Sequence, residues 1–186
     1  MAEIEGPLLL VGCGKMGGAM LEGWLERGLD PMETHVVEPS ASSLAPFAQY
    51  QVRHYADPAT LPEGLKPRVV LLAVKPQMMD GALPSYRRFV RPETLFLSIA
   101  AGKTIGYFER GLGEAAIVRS MPNTPAAVGR GITVACANGR VAKSQRDQAD
   151  GLLSAVGEVA WVEREDLLDP VTAVSGGGPA YVFLLI

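Results

Sequence analysis

The chain has little of several things that would place it quickly. It holds two cysteines and two histidines in 186 residues. Cys13 and Cys136 form no motif with each other or with His35 and His54, which argues against a metal site and a disulfide scaffold. No apolar run approaches the roughly 20 residues that span a bilayer. A formal charge of −3 gives no reason to expect nucleic acid or an anionic membrane as partner. The start, Met1-Ala2-Glu3-Ile4-Glu5, is acidic where a signal peptide would be basic, so the expected compartment is the cytoplasm.

What is present is alternation. Short apolar runs (Leu8–Val11, His35–Glu38, Val69–Val74, Leu95–Ala100, Ile117–Met121) are separated by helical patterns at Lys15–Arg27, Ser42–Tyr50, Met78–Phe89 and Thr104–Leu112. Two further strand-like runs, "GITVACA" and "EVAWVE", flank a helical stretch at Val141–Val156. Alternation of this kind builds an α/β fold with a doubly wound, mainly parallel sheet. Near Asp166–Ser175 the pattern turns purely helical. That divides the chain into an α/β domain at 1–164 and the beginning of a helical domain at 165–186. The final "GPAYVFLLI" carries no stop signal, and it reads as the opening of helices that continue further.

The run "LLLVGCGKMGGAM" joins a strand to Gly12-Cys13-Gly14-Lys15-Met16-Gly17 and then to a helix. Gly12 would permit the tight turn, Gly14 the approach of a pyrophosphate, and Gly17 close helix–strand packing. The N–H groups of the helix start would meet the phosphates. Glu38, 26 positions after Gly12, stands where an acidic residue accepts hydrogen bonds from an adenosine ribose. Taken alone it favours NAD. If it points to solvent, Ser40, Ser42 and Ser43 could hold the 2′-phosphate of NADP, so the phosphate stays undecided.

Three stretches fall just past predicted strand ends: "AVKP" at 73–76, "SIAAGKT" at 98–104 and "MPNTPAAVGRG" at 121–131. Lys75 would be a cation at the mouth of the sheet, or a lysine lying along its surface. Asn123, between Pro122 and Pro125, would be an amide on a stiffened backbone, or part of a simple turn. In "VSGGGPAYVF", Ser175 would cap a helix whose first turn exposes the N–H groups of Gly176, Gly177 and Gly178 to a carboxylate; otherwise the segment is a hinge.

Taken in order, "GCGKMGGAM", "AVKP", "SIAAG", "MPNTPA" and "AVSGGGPAYVF" resemble the pyrroline-5-carboxylate reductases. That resemblance implies an N-terminal Rossmann-type domain and a C-terminal helical domain that forms a homo-oligomer. It also implies reduction of the cyclic imine carboxylate 1-pyrroline-5-carboxylate to L-proline. NADPH is the usual reductant in that family, with NADH accepted, and Glu38 leaves room for NADH to be preferred. Carried over by residue, Gly12 to Gly17 (with Cys13, Lys15 and Met16) would hold the pyrophosphate, and Glu38 and Ser40 the adenosine end. Ala73, Val74, Lys75, Pro76, Ala100, Ala101 and Gly102 would run along the ribose and nicotinamide. Asn123 and Thr124 would lie beside the nicotinamide and substrate. Ser175 to Gly178 would face the substrate, as would Glu165, which reads equally as a carboxylate at a helix start. The family's "SGSGPAY" has a glycine here at position 177, so one hydroxyl is missing. The proton donor is expected downstream of Ile186. Two other readings stay open: a β-hydroxyacid dehydrogenase-like reductase, and a dinucleotide-binding module without catalysis.

Overall fold

Leu8–Val11 is buried along its whole length, which sets it at the centre of a sheet covered on both faces. It is β1 of the computed structural model, which describes residues 6–185; Met1–Glu5 and Ile186 lie outside. The strands that follow are β2 (Thr34–Val37), β3 (Arg53–Tyr55), β4 (Val69–Leu72), β5 (Leu95–Ser98), β6 (Ala116–Met121), β7 (Gly131–Ala137) and β8 (Gly157–Trp161). They lie in one sheet of order β3-β2-β1-β4-β5-β6-β7-β8. The first six strands are parallel, β7 runs against β6, and β8 runs with β7. The fold is the expected Rossmann type, extended at one side by a reversed pair. The chain leaves β1 in one direction and returns in the other at β4. The loops after these two neighbours therefore open a crevice at their carboxyl ends, where open α/β sheets bind ligands.

The helices are α1 (Lys15–Glu26), α2 (Met79–Ala82), α3 (Ile105–Leu112), α4 (Lys143–Leu153), α5 (Leu168–Val171) and α6 (Gly178–Leu185). Strand alternation sends Leu8 and Leu10 into one core with Met20, Leu21 and Trp24 of α1 and Leu152 of α4. Leu9 and Val11 enter the other core, with Met79, Phe108 and Leu112. Trp24 is fully buried, and its Nε1–H donates to the Leu152 carbonyl at 2.8 Å, which fastens α1 to α4.

Several expectations are corrected. The helix expected at Ser42–Tyr50 is a 3-10 segment, Ala41–Tyr50, with Pro46 inside it removing a backbone donor. The one expected at Met78–Phe89 is α-helical only over α2 and turns 3-10 at Leu83–Phe89, next to Pro84. The edge strand β3 has three polar or aromatic residues with no apolar alternation, and only its pairing to β2 defines it. The largest correction concerns Ser175, which caps nothing. The chain is helical from α5 through a π-helical turn, Thr172–Gly177, straight into α6. Gly176 fits there by close packing, since a Cβ would stand 2.9 Å from Met121 Cε. With that, the open helix start expected at Gly176 to Gly178 is absent.

Candidate functional site

Gly12 takes φ +90°, and a Cβ there would lie 3.0 Å from the Ala73 backbone. The loop after β1 therefore touches the loop after β4, and only glycine fits between them. At Gly17 a Cβ would stand 2.2 Å from the Gly12 carbonyl, so strand and helix pack at backbone distance. Gly14 is the opposite case, with nothing within 4 Å of its Cβ position. It is the N-cap of α1, has no side-chain cap, and no acidic residue follows in the first turn. The first intrahelical bond here is Gly18 N–H to Gly14 carbonyl at 2.7 Å, which leaves the N–H groups of Lys15, Met16 and Gly17 at the open end of the helix. An open helix end of this kind suits an anionic group.

In front of it lies a cleft of about 860 Å³, lined by Cys13 to Met16, Ser42, Ser43, Ala73 to Pro76, Ile99, Ala100 and Met121. The volume falls in the range of small-molecule and cofactor sites. Ala101 and Gly102 form the turn beyond, with Gly102 at φ +72°. The loops after β4 and β5 are tied together from outside. Lys103 Nζ reaches Asp80 Oδ1 at 3.0 Å, Tyr107 donates to the same oxygen at 2.5 Å, and the ammonium stands over the tyrosine ring. Those bonds hold the Asp80 carboxyl below its ordinary range, Tyr107's contribution being the larger. Burial, with Glu38 adding to it, pushes the Cys13 thiol up to about 12.

Glu38 does not point to solvent. One carboxylate oxygen accepts the Cys13 N–H at 2.8 Å and the other the Ser40 N–H at 2.9 Å. Ser40 and Ser42 pair their hydroxyls at 2.8 Å.

On the far side, Asn123 and Ser175 meet. The Asn123 Nδ2 amide donates to Ser175 Oγ at 3.0 Å, and its Oδ1 accepts the Ile132 N–H at 2.9 Å. Thr124 opens the 3-10 turn Thr124–Val128 and is exposed. Gly177 has room, for a Cβ there would come no closer than 3.7 Å to any neighbour.

Glu165 follows the other of its two readings, a carboxylate at a helix start. Its Oε1 accepts the Ile105 N–H at the start of α3 at 2.7 Å and takes Arg119 Nη1 at 2.9 Å. Arg119 also reaches Asp169 at 3.1 Å. This carboxylate serves a buried guanidinium and a helix end, not the cleft. Arg119 was missed in the sequence, although a lone arginine inside "AIVRSM" was the available signal. Among the described residues, no group of acidic, histidine and cysteine side chains could hold a metal.

A family model described as "NADP oxidoreductase coenzyme F420-dependent" matches residues 8–102, the part that carries the glycine loop and the two loops beside it. The pyrroline-5-carboxylate reductase of Pseudomonas aeruginosa is 37% identical over 184 residues, covering 96% of this chain. That of Synechocystis is 41% identical over 180 residues and 95% of this chain. A solved pyrroline-5-carboxylate reductase from Coxiella burnetii, 34% identical, superposes with a TM-score of 0.88, over 97% of this chain and 67% of its own. The chain belongs to the pyrroline-5-carboxylate reductase family. It spans 66% of the length of the two sequence relatives. The features that the family likeness rests on converge on one face: the glycine loop, the loops after β4 and β5, and Asn123 with Ser175.

Proposed function

We propose that this protein reduces 1-pyrroline-5-carboxylate to L-proline with a nicotinamide dinucleotide as reductant. The observation that carries the reading is the uncapped start of α1, opening onto a cleft whose other walls are the loops after β4, β5 and β6. When bound, the dinucleotide supplies the hydride. The chain's own share is orientation and electrostatics. Gly12, Gly14 and Gly17 shape a backbone surface for the pyrophosphate, with Cys13, Lys15 and Met16 between them. Ala73, Val74, Lys75, Pro76, Ala100, Ala101 and Gly102 carry the wall along the ribose and nicotinamide.

Asn123, fixed on both ends of its amide, joins this wall to Ser175. The substrate carboxylate lies toward the Ser175 hydroxyl and Thr124, since Gly176 to Gly178, inside a continuous helix, offer it no open helix end. The resemblance gives NADPH as the reductant, whereas Glu38, which departs from it, favours NADH. Two buried, unpaired thiols fit a reducing cytoplasm. No described helix is long and apolar enough to cross a membrane. On α6, Tyr181 and Leu184 are 70% and 82% exposed, which supports assembly of a homo-oligomer through helices packed against it.

The test is the initial rate of NADPH and NADH oxidation by the intact protein with 1-pyrroline-5-carboxylate. Saturable, imine-dependent oxidation is expected. Nucleotide binding with no turnover above the imine-free rate would overturn the reading and leave a binding module.

A further inference from the structure

The carboxylate of Glu38 is held from two directions. Cys13 N–H, in the glycine loop, and Ser40 N–H, in the loop after β2, each donate to a different oxygen, at 2.8 and 2.9 Å. The backbone behind it is fixed as well. Gly12 N–H donates to the Val37 carbonyl, Glu38 N–H to the Tyr55 carbonyl, and a His54 ring nitrogen to the Glu38 carbonyl at 2.7 Å. A side chain anchored so closely to its own strand end has little freedom to swing aside for a ligand.

Its place decides what it can meet. The end of the second strand in a sheet of this order is where the adenosine ribose of a dinucleotide comes to rest. A 2′-phosphate at that spot requires donors. Those the strand end offers include the Ser40 N–H, just before the 3-10 segment Ala41–Tyr50, and the hydroxyls of Ser40, Ser42 and Ser43. Here the Ser40 N–H is taken by a carboxylate, and one of the Ser40 and Ser42 hydroxyls is spent donating to the other. The cations lining the cleft, Lys15 and Lys75, belong to the start of α1 and the loop after β4. Ribose hydroxyls are a different matter. Each carboxylate oxygen has used one acceptor site and keeps another, so both can still receive an O–H.

We propose that Glu38 selects the unphosphorylated dinucleotide, NADH over NADPH, by occupying the Ser40 donor and setting a negative charge where the 2′-phosphate would sit. The proposal rests on the cleft being a nicotinamide dinucleotide site. It differs from a plain charge effect in requiring the Ser40 N–H, so removing the charge and freeing the donor have separate consequences.

The test is calorimetric binding of NADH and NADPH to the intact protein without imine, with AMP and 2′-AMP as fragment probes. The wild type, Glu38→Gln and Glu38→Ser are compared after their folding is checked by circular dichroism. The wild type is expected to bind NADH about tenfold or more tightly than NADPH, as like-charge juxtaposition demands. Glu38→Gln narrows the ratio, because an amide removes the charge and keeps one acceptor. Glu38→Ser frees the Ser40 N–H and reverses the ratio, and AMP against 2′-AMP follows the same order. Equal or tighter NADPH binding by the wild type would overturn the proposal alone, as would a ratio that neither folded variant moves. Failure of both nucleotides to bind would remove the dinucleotide reading together with it.

Discussion

The Asn123 side chain donates to Ser175 Oγ at 3.0 Å across 52 positions of sequence. Its other end accepts the Ile132 N–H, so one planar amide joins β7, the loop after β6 and the π-helical turn. In a double-mutant cycle, Asn123→Ala and Ser175→Ala should couple by about 1 kcal/mol, the worth of one partly buried hydrogen bond. Asn123→Ala should cost more than Ser175→Ala, because it also leaves the Ile132 N–H without its acceptor. Denaturant unfolding of the four proteins checks this. Additivity within a few tenths of a kcal/mol would mean the contact holds nothing together.

Gly14 and Gly17 should separate binding from folding. Gly14→Val places its side chain in open cleft, costs at most about 1 kcal/mol as a poorer N-cap, and abolishes dinucleotide binding. Gly17→Ala drives a Cβ to 2.2 Å from the Gly12 carbonyl and should cost about 3 kcal/mol through overpacking. Thermal melts and nucleotide titrations read the two effects. Undiminished nucleotide affinity in Gly14→Val would remove the pyrophosphate from this loop.

The ion pair between Arg119 and Glu165 is asymmetric. The Arg119 side chain is 5% exposed, against 27% for Glu165 and 76% for Asp169. Glu165→Leu strands a buried guanidinium on an exposed partner and should cost about 2 kcal/mol. Arg119→Met fills the apolar space and leaves Glu165 with the Ile105 N–H and water, so it should cost about 1 kcal/mol or less. Chemical denaturation that found the reverse order would show that the buried member is not the one needing support.

His35 is buried, with its Nδ1 3.0 Å from Tyr55 Oη and its ring stacked on that of Tyr55. Burial lowers its pKa below 6.5, with Arg53 acting in the same direction and Glu33 against it. Below pH 6.5 the unfolded chain takes up a proton that the folded chain refuses. The stability from neutral His35 is therefore complete above that pH and is lost as the pH falls toward the folded value. In His35→Phe, which keeps the stacking and cannot titrate, the decline between pH 6.5 and 5 should be shallower. Urea midpoints across that range measure it, and an unchanged slope would assign the acid sensitivity to other groups.

Much of this was legible in the chain itself. Leu8–Val11, Val69–Leu72 and Leu95–Ser98 are continuous apolar runs because both faces of a central strand are covered. Gly12, Gly14 and Gly17 announce a close turn, a bare helix start and a tight packing, all of which are local demands on one loop. The 3-10 segments were misread as α-helix because their apolar spacing resembles a helix, while Pro46 and Pro84 remove the donors that would complete one. The edge strand β3 escaped notice because its residues bury too little to leave a pattern.

What the sequence determined by itself is therefore local: where the strands lie, where the backbone must turn, and where a helix begins without a cap. The partners of Glu38, Glu165 and Ser175 were decided only by the tertiary structure. Apart from the Ser40 N–H, two residues from Glu38, each bonds to groups that chain connectivity does not bring near it. Glu38 meets the glycine loop 25 positions away, Glu165 meets Arg119 at 46, and Ser175 meets Asn123 at 52. A carboxylate or hydroxyl in a sequence states only what it can accept or donate. The packing of the sheet against its helices determines which donor comes within 3 Å of it.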